Sequence, residues 1–183
     1  MPYGQTNTSA IMRKIFITAA CMAMFMASAC NNEAKKQDSK VSDTTQQADA
    51  TVPDSQNVNK VLSSYIALKN ELVKSDAEAG KKAAAALEDE LIEVKGCAEA
   101  ASMAREIASA GSIEDQRKAF LTLSKDIIPL AKGIKTGQTT YVSYCPMAND
   151  GKGGYWLSEI KEIKNPYYGD AMLECGTVKE VIQ

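Results

Sequence analysis

The sequence predicts a mainly α domain: an up-down antiparallel bundle of about four helices with a small C-terminal β-hairpin and loop subregion. Three observations carry that prediction. Apolar residues recur at helical spacing from Val58 to Ile134. The stretches between these stripes are short, so successive helices fold back on one another. After Gly137 the pattern turns to β-branched and aromatic residues punctuated by glycine and proline.

The first helix rests on Val58, Val61, Leu62, Tyr65, Leu68 and Leu72, which lie on one stripe. Ser75 reads as the cap of the second, because "SDAE" has the form of a capping box that returns Glu78 to the Ser75 amide. Ala83, Ala84, Ala86, Leu87, Leu91 and Val94 form its inner face, whose alanines permit close approach, and Gly96 supplies a stop. "CAEAASMAREIASAG" predicts a weaker third helix that ends at Gly111. Ser112 caps the fourth, with Phe120, Leu123, Ile127, Leu130 and Ile134 as its buried stripe. Pro129 lacks an amide hydrogen, which predicts a kink or an end near Ile128. "QTTYVSYC" follows as a short strand, "ANDGKGGYW" as a loop or hairpin turn, and "NPYYGD" as another turn. The final "TVKEVIQ" fits either a short helix or a strand.

The segment ahead of the bundle reads as an address. Arg13 and Lys14 precede an apolar run from Ile15 to Met26, the form of a secretory signal within residues 1–29. The run is shorter than the about 20 residues a spanning helix needs. Met12 is an alternative start, because the residues before it do not resemble a basic leader. Ala27, Ser28 and Ala29 lead to Cys30, an order that resembles a bacterial lipobox with alanine where leucine is usual. Cys30 is then the lipidated first residue of the mature chain, with an ordinary cleaved signal as the alternative. Residues 30–57 are polar and hold no aromatic residue, so they form a disordered tether to the domain at 58–183. The expected location is the cell envelope of a Gram-negative bacterium, lipid-anchored at the outer membrane and facing the periplasm.

The net charge of −2 becomes more negative by two units once Arg13 and Lys14 leave. That argues against nucleic acid or an anionic lipid surface as partner, since both call for a basic patch. There is no histidine, which excludes Ser–His or Cys–His nucleophiles and imidazole metal sites. Without a phosphate-binding glycine loop either, the sequence predicts a non-enzyme.

Of five cysteines, Cys21 leaves with the signal and Cys30 carries the lipid. Cys97 sits among alanines as a small buried hydrophobe. Cys145 has Met147 at i+2 and Cys175 has Met172 at i−3, so two short arms can present thiolate and thioether toward one point. Soft sulfur ligands select Cu(I) and Ag(I). Spacing leaves a second reading open, in which Cys145 and Cys175 form a disulfide and the methionines fill the core. A thiol oxidoreductase has less support, because no C-x-x-C is present.

From Val58 to Ile182 the chain resembles a bacterial domain family of formally unknown function. Its C-terminal signature runs Tyr-x-x-Cys-Pro-Met-Ala, Gly-x-x-Trp-Leu-Ser, Ile-x-Asn-Pro-Tyr-Phe/Tyr-Gly and Met-Leu-x-Cys-Gly. Here Tyr141, Tyr144, Cys145, Pro146, Met147 and Ala148 supply the first part, then Gly153, Trp156, Leu157 and Ser158 the second. Ile163, Asn165, Pro166, Tyr167, Tyr168 and Gly169 supply the third, and Met172, Leu173, Cys175 and Gly176 the last. Family members occur as exported proteins and fused to periplasmic adaptor subunits of heavy-metal efflux pumps, and often carry histidines that this chain lacks. The resemblance implies a Cu(I) or Ag(I) site at Cys145, Met147, Met172 and Cys175, with Pro146, Trp156, Asn165, Pro166 and Gly169 as architecture. It implies a carrier or buffer whose partner is an efflux adaptor or another pump subunit. The alternative is a structural module with a Cys145–Cys175 disulfide that docks on such an adaptor or another envelope protein.

Overall fold

Val58, Val61, Leu62, Tyr65, Leu68 and Leu72 all turn inward on α1 (Ser55–Lys74), as their spacing requires. A computed structural model of the protein describes residues 55–134 and 137–183. The expected signal segment, the proposed anchor Cys30 and residues 31–54 of the expected tether lie outside the described residues. Three further helices follow, α2 (Ala77–Ile92), α3 (Ala98–Ser109) and α4 (Ile113–Gly133). Each packs on the one before it, and α1 also meets α4. Their shared core gathers Tyr65, Leu68, Leu87, Leu91, Ile107, Phe120, Leu123 and Ile127. Among the described residues no helix is long and apolar enough to cross a membrane.

Ser75 does not cap α2. It stands at φ 59° as the left-handed residue that ends α1, where the Ser75 amide donates to the Leu72 carbonyl and the Asp76 amide to that of Glu71. That pair of bonds is a Schellman closure. Asp76 takes the cap instead, its carboxylate accepting the Ala79 amide at 2.9 Å. Glu78 pairs with Lys81. The one-residue displacement arises because the helices are joined so tightly that Ser75 is needed to close the first. Ser112 does cap α4, accepting the Asp115 amide at 3.1 Å.

Two expectations of helix ends are corrected. α2 stops at Ile92, ahead of Gly96, and Val94 is buried from the turn beyond it. α4 continues through Pro129 to Gly133. Pro129 and Lys125, whose carbonyl loses its helical donor to proline, are both exposed, so water can satisfy that oxygen. Leu130 and Ile134 are accordingly only partly buried. On α2 the alanine face is narrower than its composition implies. Ala84 is buried, Ala83 partly so and Ala86 exposed. The closest approach is at Gly80, where a Cβ would meet Gln116 Oε1 at 2.9 Å.

The C-terminal part forms a three-stranded antiparallel sheet in the order β2-β1-β3. Its strands are β1 (Thr140–Cys145), β2 (Gly154–Ser158) and β3 (Thr177–Ile182), so the last segment is a strand. Val142 faces Leu157 across the β1–β2 ladder, and both are buried. The Tyr65 hydroxyl joins sheet to bundle. It lies 2.7 Å from Ser124 Oγ and accepts the Leu157 amide at 3.3 Å. Burial drives the Tyr65 pKa far upward, so the phenol stays protonated. A second tie is ionic. Lys69 is wholly buried, its ammonium 2.9 Å from Glu159 Oε2, while Asn70 donates to Oε1 at 3.0 Å.

Candidate thiol site

β1 delivers Cys145 at its last residue, opposite Gly154 of β2. A side chain at Gly154 would strike Leu121 Cδ2 at 2.6 Å and Tyr167 Cε2 at 2.8 Å, so the hairpin is pressed against α4 there. The turn that follows begins with exposed Pro146 and closes when the Gly153 amide donates to the Ala148 carbonyl at 2.8 Å. Asn149 and Asp150 adopt positive φ within it, as do Gly151 and Gly153. The Met147 carbonyl accepts both the Gly151 amide, at 3.2 Å, and the Tyr168 hydroxyl, at 2.6 Å.

The second arm is held by Asn165. Its amide nitrogen donates to the Cys175 carbonyl at 2.9 Å, and its side-chain oxygen accepts the Tyr167 amide at 2.9 Å. Its own backbone N–H donates to the Leu173 carbonyl at 2.8 Å. A short 3-10 turn, Gly169–Met172, brings the Met172 carbonyl to the Cys175 amide at 3.1 Å. The turn is anchored to the bundle by Arg117. That guanidinium donates to the Pro166 carbonyl at 2.9 Å, the Leu72 carbonyl at 3.0 Å and Ser75 Oγ at 2.9 Å. Gly169 stands at φ 56° with no room for a Cβ, which would lie 2.5 Å from Ser75 Oγ and 2.9 Å from the Val73 carbonyl.

These two arms place Cys145 Sγ 3.0 Å from Cys175 Sγ, and both are free thiols. Cys145 is fully buried and Cys175 is partly exposed. The Cys175 thiol is pushed up in pKa, first by its contact with Cys145 and then by burial and the neighbouring charge, while the Met147 backbone N–H opposes this. Of the four sulfur residues, then, the structure brings the two thiols into contact. Met147 reaches Cys175 through its main chain and leaves its side chain 52% exposed. Met172 is partly buried and holds the Cys175 amide. Among the described residues no three His, Cys, Asp or Glu side chains converge as a metal-binding group.

Trp156 is fully buried, edge-on to Tyr167 with ring centroids 5.8 Å apart. It lies beneath the second arm, where a Cβ on Gly176 would be 2.9 Å from its Cη2. Arg117 positions the site without having been singled out in the sequence, and Tyr168, named there only as a signature residue, holds the Met147 carbonyl. Arg117 sits at the edge of an ordinary amphipathic helix, and its three acceptors come from distant segments. A cavity of about 470 Å³ opens beside the site between α4 and the 146–153 turn, lined by Arg117, Lys118, Asn149, Asp150 and Tyr168 among others.

No curated protein and no solved structure matches the chain. Residues 61–139 match the family described as Protein of unknown function (DUF3347), a span that runs from α1 to the threshold of β1. The helical body is therefore similar to a domain family of unknown function, and the C-terminal region that holds both thiols, Cys145 at the end of β1 and Cys175 just ahead of β3, lies beyond the matched span.

Proposed function

We propose that the protein is an exported, lipid-anchored binder of a soft monovalent metal ion, Cu(I) or Ag(I). Cys145 and Cys175 supply the thiolates, and Met147 and Met172 the accessory thioethers. The observation that carries this reading is the 3.0 Å contact between two free thiols at a partly exposed rim. Thiolate and thioether favour Cu(I) over harder divalent ions. For zinc, a metal–thiolate bond is about 2.3 Å, so two thiolates on one ion stand roughly 3.8–4.6 Å apart, depending on the angle. An ion of similar bond length needs the two sulfurs to part by about 0.8–1.6 Å from their present 3.0 Å contact. The flexible Met147 side chain, half exposed, is free to swing onto such an ion.

In this reading the domain carries or buffers metal and catalyses no reaction. Cys30 holds it to the membrane by lipid, and the polar segment after Cys30 gives it reach toward an adaptor or another subunit of a heavy-metal efflux pump. The test is an anaerobic Cu(I) titration of the reduced full chain. One ion per chain is expected, abolished by Cys145→Ser or Cys175→Ser and weakened by Met147→Leu or Met172→Leu. No uptake by the reduced protein, or uptake unchanged in both serine variants, refutes the assignment.

A further inference from the structure

We infer that Cys145 and Cys175 are a reversible dithiol–disulfide couple, entered through Cys175 and resolved by Cys145, whose co-substrate is a disulfide-bearing oxidant and whose oxidised form closes the metal site. The gating part rests on the metal reading above; the couple itself does not.

The contact is built by the backbone, with no covalent bond imposing it. Asn165 holds the Cys175 carbonyl, Met172 holds its amide, and Gly176 is wedged where a Cβ would lie 2.9 Å from both Trp156 and the Tyr144 carbonyl oxygen. Cys145 is fixed in turn as the final residue of the central strand. Two sulfurs 3.0 Å apart in so confined a setting reach the roughly 2.05 Å of a disulfide by side-chain rotation. The same constraint keeps them together when reduced, so neither state demands a rearranged fold.

Exposure sets the order of events. Exchange begins when a thiolate attacks the sulfur of an incoming disulfide. Cys145, with no exposed surface, cannot meet one, whereas Cys175 is partly open to solvent. The Cys175 thiolate therefore attacks an oxidant RS–SR, forming Cys175–S–S–R and releasing one thiolate RS⁻. Cys145, already in contact, then attacks the Cys175 sulfur and expels the second RS⁻. The two thiol protons pass to the two leaving groups, and the oxidant gains the two electrons that the protein sulfurs lose. The product has no thiolate left to hold a soft metal ion.

The experiment exposes the reduced, chelator-treated full chain to glutathione disulfide under anaerobic conditions. Acid-quenched samples are mapped for the Cys145 and Cys175 peptides. In the wild type, early samples should carry glutathione on Cys175 alone, and late samples should have the two peptides joined with no glutathione retained. Cys145→Ser should keep glutathione on Cys175, and Cys175→Ser should leave Cys145 unmodified. Stable glutathione on the wild-type protein, or two thiols still free at the end, overturns the couple. Early glutathione on Cys145 overturns the order, and this is read on wild-type protein whatever the variants do. Cu(I) titration of the joined and reduced forms then tests gating, with uptake lost on oxidation as the expected result and equal uptake overturning it. Failure of the reduced form to take up Cu(I) would remove the metal reading while leaving the sulfur chemistry intact.

Discussion

Asn165 positions Cys175 without touching its sulfur: the side-chain nitrogen of Asn165 donates to the Cys175 carbonyl, and its oxygen accepts the Tyr167 amide, each at 2.9 Å. Asn165 is fully buried, so water cannot replace either bond. Asn165→Leu keeps the volume and orphans both backbone groups, which should cost about 2–4 kcal/mol in chemical denaturation. It should also slow the joining of Cys145 to Cys175. A variant that is destabilised yet oxidises at the wild-type rate would show that Asn165 serves the fold alone.

Gly169→Ala should destabilise the domain by more than about 1 kcal/mol, since Ala must adopt a positive φ and meet Ser75 and the Val73 carbonyl. Gly111→Ala is the matched control. Gly111 has no positive φ and nothing within 4 Å of its would-be Cβ, so its change should stay within about 0.5 kcal/mol. Melting curves of the two variants settle the comparison, and equal shifts would deny the tight junction at Gly169.

The buried Lys69 and the partly exposed Glu159 should respond to substitution unequally. Burial lowers the Lys69 pKa despite its Glu159 partner. Burial would raise that of Glu159, yet the bonds from Asn70 and Lys69 outweigh it and the net shift is downward. A depressed carboxylate stabilises the fold above its unfolded pKa, and that contribution is lost as pH falls through the acid range below it. A depressed lysine works the other way, and its cost eases as pH rises toward the ordinary lysine range. Glu159→Gln leaves the ammonium with a weaker partner and should cost about 1–3 kcal/mol at neutral pH while flattening the acid limb. Lys69→Met should be near neutral or stabilising. Urea denaturation across pH checks both, and a wild-type acid limb in Glu159→Gln would exclude Glu159 as its source.

Joining Cys145 to Cys175 ties residues 30 positions apart. On the loop-entropy account it should add about 3–4 kcal/mol to stability. Guanidinium midpoints with and without reductant measure it, with Cys145→Ala as the variant that should show no difference. Identical midpoints for the wild type would mean that no bond forms under the oxidising condition used.

The stripes of α1 and α4 were legible because one-sided burial imposes a helical period directly on the residues, from Val58 to Leu72 and from Phe120 to Ile127. The junctions were less legible. Ser75 and Asp76 are both good capping residues, and only the closing bonds of α1 decide between them. Pro129 was read by its local rule, whereas the outcome followed from its exposure, a tertiary property. At the site, the convergence of Cys145 and Cys175 was visible in their company, Met147 two residues after the first and Met172 three residues before the second. The tripod of Arg117 was not, because all its acceptors lie 42 or more residues away, in segments whose approach no local pattern encodes. For the same reason Lys69 gave no sign that it would be buried; its partner Glu159 is 90 positions distant.

Trp156 is the chain's single tryptophan, and the outer edge of its indole meets the peptide that follows Cys175. The protein thus contains its own optical gauge. The ring is shielded from solvent, and its N–H has no hydrogen-bond partner among the described residues, conditions that favour short-wavelength emission. A sulfur–sulfur bond or a heavy ion at Cys175, the residue before Gly176, should alter the quenching of that emission. Fluorescence of the unlabelled protein should therefore follow events at the thiols in real time, with no competing tryptophan elsewhere in the chain.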